Sequence, residues 1–147
     1  ARREHSRLQS LYAGRWQAQF SVPKRPAPNS LAVFSYSFLE MQQALPDLKA
    51  FEHILILEPS TRECGRDLMA WRSKFIGMGF TTLAPCTHAD ACPLLIHSLK
   101  DWCHMRIWFD PPEWWEDLER DLPMKNRTLT FSYLLLSRTG THGAWAG

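Results

Sequence analysis

Apolar residues fall along this chain in short blocks separated by proline and polar punctuation. Leu31–Tyr36 (LAVFSY), His53–Leu57 (HILIL) and Leu129–Leu136 (LTFSYLLL) are continuous apolar blocks of strand length, rich in β-branched and aromatic residues. Arg62–Met78 carries a different period. Leu68, Trp71, Arg72, Phe75 and Ile76 recur at helical spacing, with Arg72 the one polar residue on that face. Gly77–Met78–Gly79 closes this helix, and Phe80–Leu83 opens another strand. Phe38–Leu45 reads as a short helix stopped by Pro46 and Asp47. Ahead of these, residues 3–13 form a helix with Leu8, Leu11 and Tyr12 on one side and Gly14 at its end. Gln17–Val22 is then a short strand, and Pro23, Pro26 and Pro28 form a loop.

The strand–helix–strand–helix–strand order up to Leu83 predicts a parallel α/β sheet covered on both faces. Between Leu83 and Leu129 lie about 45 residues with three cysteines, three histidines and four tryptophans. Connections that long inside a compact domain are uncommon and are usually functional. Within this one, PPEWWEDLERDL predicts a short amphipathic helix starting at Pro111–Pro112.

Composition refines the picture only in part. Hydrophobic content of 45% and charged content of 22% over 147 residues suit a globular chain with a real core. No apolar run approaches the roughly 20 residues of a membrane span, and no signal peptide opens the sequence. The chain does not begin with Met, so its true start is expected upstream. The net charge of +2 hides an asymmetry. Residues 1–30 hold Arg2, Arg3, Arg7, Arg15, Lys24 and Arg25 against Glu4 alone, whereas the remainder is acidic on balance. That stretch could lie beside phosphates, but charge alone favours a solvated helix face.

There are four cysteines. In a reducing compartment clustered cysteines read first as metal ligands or redox groups. Residues 84–104 run APCTHADACPLLIHSLKDWCH, with Cys86 and Cys92 six apart, Cys103 eleven further on, and Pro85 and Pro93 stiffening the backbone. A stiff loop lowers the entropy cost of bringing thiolates to one point. The spacing is neither that of a zinc finger nor that of a ferredoxin, so on spacing alone a metal site and buried inert cysteines stay open.

APCTHADACPL, then DWCH, then FSYLLLSR together resemble the ribosomal small subunit Rsm-twenty-two-like family, which includes mitochondrial small-subunit assembly proteins and their bacterial relatives. VFSYSFLEM and LILEPST extend the resemblance upstream, so it covers roughly residues 31–138. The chain departs from the family pattern at Thr87, at Met105, at Leu39 and at Ser60. The resemblance implies part of a class I methyltransferase (Rossmann-like) α/β sheet. LAVFSY, HILIL, the strand after Gly79 and LTFSYLLL would be its fourth to seventh strands, with a cysteine-containing insertion at 84–128 before the last. It further implies a [4Fe–4S] cluster with Cys86, Cys92 and Cys103 as three of its four ligands.

The family's fourth cysteine has no counterpart, because no cysteine follows Cys103. Either the chain is cut at its carboxyl end or another residue substitutes. His104 and His88 are candidates and would favour a zinc site. Cys64, at the start of a helix, stands outside the family's ligand positions.

Methyl transfer needs a glycine-rich turn after the first strand of the sheet to approach the cofactor. This chain has none, and its only G-x-G follows a helix and precedes a strand. The chain is therefore expected to be the carboxyl-terminal part of a longer protein, with residues 31–147 continuing a methyltransferase-like domain. S-adenosylmethionine is expected only in the intact protein, with Ser35, Tyr36 and Glu40 near the rim of its pocket. Strand-end packing and a helix surface explain those three residues equally.

Trp102, Trp108, Trp114 and Trp115 could stack RNA bases, though packing over the metal loop is the preferred role. Lys125, Asn126 and Arg127 form a modest basic turn able to touch phosphate. His97 reads as structural, and Glu58 ends a central strand where α/β folds place active-site groups.

Three functions follow. The first is a small-subunit assembly factor that binds rRNA and carries an iron–sulfur cluster. The second is an active S-adenosylmethionine-dependent rRNA methyltransferase, and the third a zinc-stabilised, non-catalytic interaction module. The expected partners are the small ribosomal subunit and its rRNA, not DNA or a membrane. The location would be the cytoplasm in a bacterium and the mitochondrial matrix in a eukaryote.

Overall fold

β1 (Leu31–Ser35) alternates exposed and buried side chains, and β2 (His53–Pro59) repeats the alternation with Ile54, Ile56 and Glu58 inward. That period of two is the signature of strands with one packed face. The architecture comes from a computed structural model, which describes residues 26–140. The predicted helix over 3–13 and strand over 17–22 lie outside the described residues.

Thr61 opens α1 (Arg62–Gly77) by accepting the Cys64 amide on its hydroxyl at 3.2 Å. Gly79, with φ +92°, ends the helix in the left-handed region. β3 (Thr81–Ala84), α2 (Pro93–His97), β4 (Met105–Trp108), α3 (Glu113–Glu119) and β5 (Thr128–Ser137) follow.

The sheet order is β1-β2-β5-β3, with β4 also pairing β5. β1 runs parallel to β2, while β5 is antiparallel to β2, β3 and β4. The three strands expected to run parallel, β1, β2 and β3, do so, and the antiparallel β5 and its pairing with β4 make the sheet mixed. Apolar content could not reveal this, because a strand buried between two neighbours reads the same in either direction. LTFSYLLL and HILIL pair directly, from His53 with Ser137 to Pro59 with Phe131.

Registers align inward rows across the sheet. Ala32, Ile54, Leu136 and Thr82 form one, Phe34, Ile56 and Leu134 a second, and Glu58 with Ser132 a third. Leu68, Met69, Arg72 and Phe75 of α1 join these rows in the buried core. Phe38 sits edge-on to Phe34 at 5.3 Å and to Trp71 at 5.0 Å, which seals one flank of the core. Each such fully buried large side chain contributes about 1.5–3 kcal/mol.

Coverage of both faces was expected. Among the described residues α1 covers one face, and Leu31 and Val33 on the other are half exposed. Phe38–Leu45 forms successive turns rather than a helix. Glu58 explains how that segment is held, since its buried carboxylate accepts the Leu39 amide at 3.1 Å. A short 3-10 turn at Leu48–Ala50, capped by Asp47, follows. Among the described residues no helix is long and apolar enough to cross a membrane.

Candidate metal centre

β3 ends at Ala84, and the chain turns at once through Pro85 into Cys86. Cys92 precedes α2, whose first residue is Pro93, and Cys103 lies just before β4. The segment between β3 and β4 has little ladder of its own, so its backbone carbonyls need other donors. α1 supplies them as arginines. Arg72 is fully buried and donates to the carbonyl oxygens of His88 and of Asp90, the latter at 2.9 Å. Arg66 donates to Ser98 at 2.8 Å and Asp101 at 2.9 Å, and Arg62 reaches Leu99 at 3.4 Å.

Cys103 is fixed from two sides. Ser132 of β5 donates its hydroxyl to the Cys103 carbonyl at 2.7 Å. Gly65 of α1 provides the space, because a Cβ there would stand 2.9 Å from Trp102 Cδ1 and 3.0 Å from the Cys103 carbonyl. Trp102 in turn donates its indole N–H to the Ser60 carbonyl at 3.1 Å. The arginine that broke the apolar face of α1 in the sequence is thus the anchor of the cysteine loop. Gly65 left no comparable signal.

These anchors bring the three thiols into one neighbourhood. Cys92 is buried, and Cys86 and Cys103 are half-buried. Burial pushes the Cys103 thiol up, and the neighbouring Cys86 and Cys92 push it further. Burial likewise raises Cys86; the Arg72 guanidinium opposes the rise and Cys92 adds to it. The Tyr133 hydroxyl is raised by burial and then by Cys103 and Cys86, which puts this β5 residue beside the same cluster. Cys64 is not among the groups acting on Cys86 or Cys103. Its thiol belongs to the first turn of α1.

The donor chemistry suits a thiophilic metal: three soft ligands in a partly desolvated pocket that raises the Cys86 and Cys103 thiols, whose protons a metal would displace. Their closure is incomplete. Among the described residues no group of three or more His, Cys, Asp or Glu is drawn together tightly enough to hold an ion. His104 is exposed; its ring packs on Trp102 at 5.5 Å and its Nδ1 lies 3.3 Å from the Trp102 carbonyl. His88 Nδ1 is buried 3.7 Å from Asp90.

The remaining sequence candidates lie elsewhere. Ser35, Tyr36 and Glu40 are at the carboxyl end of β1 and just beyond it, on the same side of the sheet as Cys86. Tyr36 has φ +52°, a strained value for a non-glycine residue, and its amide donates to Leu57 at 2.8 Å. The described residues bring no glycine-rich turn beside these three. Trp114 and Trp115 sit on α3 and pack on each other and on Phe109, not over the cysteines. Part of the basic turn is already engaged. Arg127 is held by Glu119 at 2.6 Å and faces Glu116 at 3.6 Å, and the Asn126 amide donates to Glu119 at 2.7 Å.

Residues 13–146 match the family described as mitochondrial small ribosomal subunit Rsm22. The chain belongs to the Rsm22 family. Its description ties the chain to the small ribosomal subunit and to the mitochondrion, in line with the eukaryotic branch of the sequence-based expectation. No curated protein matches the chain.

Proposed function

We propose that this Rsm22-family chain is the carboxyl-terminal part of a small-subunit assembly factor whose cysteine loop carries a metal centre and lies against small-subunit rRNA. The observation that carries the reading is that arginines of a core helix hold the loop bearing Cys86, Cys92 and Cys103, and that Cys86 and Cys92 lie near enough to raise the Cys103 thiol. Inert buried cysteines need no such framework. The strand order supports the methyltransferase-type sheet: β5 enters antiparallel between β2 and β3, which are parallel to each other. That insertion sets such a sheet apart from an all-parallel dinucleotide fold. S-adenosylmethionine would belong to the intact protein, at the strand end marked by Ser35, Tyr36 and Glu40.

Cys86, Cys92 and Cys103 would hold the metal. A [4Fe–4S] cluster with an additional cysteine is the first reading, and zinc completed by His104 the second. When bound, either would cross-link the end of β3, the start of α2 and the approach to β4. Arg72 and Ser132 fix the backbone on either side, so little ordering remains to be done on binding.

The test is anaerobic purification of the full-length protein, followed by iron, sulfide and zinc analysis. Each of Cys86→Ser, Cys92→Ser and Cys103→Ser should lower metal content to a minor fraction of wild type. Cys64→Ser should leave it unchanged. Wild-type protein free of iron and zinc, or metal content indifferent to all three changes, would defeat the reading.

A further inference from the structure

We infer that α3 and the turn after it form a docking surface for a basic, amphipathic segment of a partner protein. The inference is independent of the metal reading.

α3 stands between β4 and β5 and leaves an unusual amount of apolar surface in solvent. Trp114 is 60% exposed, Leu118 66%, Leu122 57% and Met124 71%. Beside them a cleft of about 360 Å³ runs between Trp115, Leu118, Leu122, Pro123 and Met124. No described residue covers it. Scattered apolar side chains on a surface are ordinary, but a contiguous patch with a cleft marks a binding site.

Charge selects the partner. A second groove beside the helix is lined by Glu113, Glu116, Asp117 and Glu119, with Arg120, Lys125 and Arg127 among them. From Met105 to Arg127 acids outnumber bases, six to four. Two of the four bases are engaged. Arg127 is taken by Glu119 and Glu116, and Arg120 by Asp117. Among the described residues, Asp110, Glu113 and Asp121 have no ion-pair partner. The tryptophans thus sit in a negative field that repels a phosphate backbone, and stacking on RNA bases becomes unfavourable. A segment with apolar side chains for the cleft and lysines or arginines for the rim satisfies both features.

The test uses full-length protein and a fluorescent peptide of about 16 residues, with lysine and leucine at helical spacing. Its glutamate-for-lysine counterpart and a single-stranded RNA of matching length are run beside it. Wild type should bind the lysine peptide and not the glutamate one. Trp114→Ala combined with Leu118→Ala should weaken the lysine peptide at least about tenfold. Glu113→Gln with Asp121→Asn should flatten its salt dependence, and RNA affinity should not change in any variant. Circular dichroism and melting check the fold. If the alanine pair loosens α3, Met124→Lys repels the same peptide from an exposed position without removing packing. Unchanged peptide affinity in these variants overturns the inference, as does RNA affinity that falls with them. So does peptide binding that emerges only after residues 1–30 are deleted, since the chain's own basic stretch would then be the occupant. Self-association lost in the same variants would assign the surface to a second copy and overturn it too.

Discussion

The connection between β3 and β5 divides into two halves built on opposite principles. From Pro85 to His104 the backbone is gripped by side chains of the core. Arg62, Arg66 and Arg72 donate to five carbonyl oxygens, and Ser132 to a sixth. From Met105 to Arg127 the chain is held along one edge, by the four-residue pairing of β4 with β5 and by the clasp of Glu119 on Asn126 and Arg127. The first half buries Cys92 and half-buries its other cysteines; the second exposes Trp108, Trp114, Leu118 and Met124. The halves are similar in length, and the second carries Trp108, Phe109, Trp114 and Trp115 where the first carries Trp102 alone. What separates them is reach: three arginines on one helix extend over the first half only. Multipoint anchoring fixes positions, as ligation requires, and edge anchoring presents a surface.

Removing the strongest anchor should erase the contrast. Arg72→Met leaves the partly buried carbonyls of His88 and Asp90 without their donor, at a cost of about 1–3 kcal/mol. Urea unfolding should show this loss, and metal content should fall with it although no thiol is touched. Retained stability with full metal content would mean that the loop is held by something other than α1.

A milder break targets fit rather than hydrogen bonding. Gly65→Ala places a methyl against Trp102, the Cys103 carbonyl and Ser132, and overpacking of this kind costs about 1–3 kcal/mol. Trp102 fluorescence and metal content should change, whereas docking of a basic peptide on α3 should not. A variant that loses both functions equally would merge the two halves into one unit.

The smallest effect sharpens the comparison from the other side. The Asn126 amide, and then Arg127, hold the Glu119 carboxyl below the ordinary 4.5 of a glutamate. A depressed carboxyl stabilises the fold above its unfolded value, and that contribution is lost as pH falls through the folded one. Acidification below about 4.5 should therefore open the α3 clasp, with Glu116 and Arg127 released from the same contact. Amide exchange at Asn126 should rise before exchange at Cys92 does, and Glu119→Gln should abolish that pH step. Simultaneous opening of both halves would count against separate anchoring.

Much of this was legible in the sequence. The strands at Leu31, His53, Thr81 and Thr128 announced themselves because each packs at least one face, and α1 because five residues share its inner stripe. β4 was missed for the opposite reason. MRIW exposes all four residues and owes its extended form to the backbone of β5, which no local pattern encodes. The helix expected at Phe38–Leu45 gave way to turns, with the buried Glu58 carboxylate taking the Leu39 amide. Type and spacing left a metal site and inert cysteines open, and the resemblance to the family segment singled out Cys86, Cys92 and Cys103. Their framework was visible only as Arg72 out of place on an apolar stripe, and the role of Gly65 depends on a long-range approach that spacing cannot report. Spacing did not show that Arg127 of the basic turn is paired with Glu116 and Glu119 of α3.

The antiparallel entry of β5 also sets a timetable. β2 and β3 are linked only when β5 fills the gap between them, and its pairing joins His53 to Ser137 across most of the described chain. Contacts of such high sequence separation form late and slowly. During vectorial synthesis every earlier strand waits, with unpaired edges, for the final ten-residue strand to emerge. Cys103 waits as well, since Ser132 on that strand secures its carbonyl. Maturation of the thiol pocket is thereby made conditional on completion of the sheet, so that a stalled or clipped nascent chain presents three loose cysteines rather than a finished receptacle.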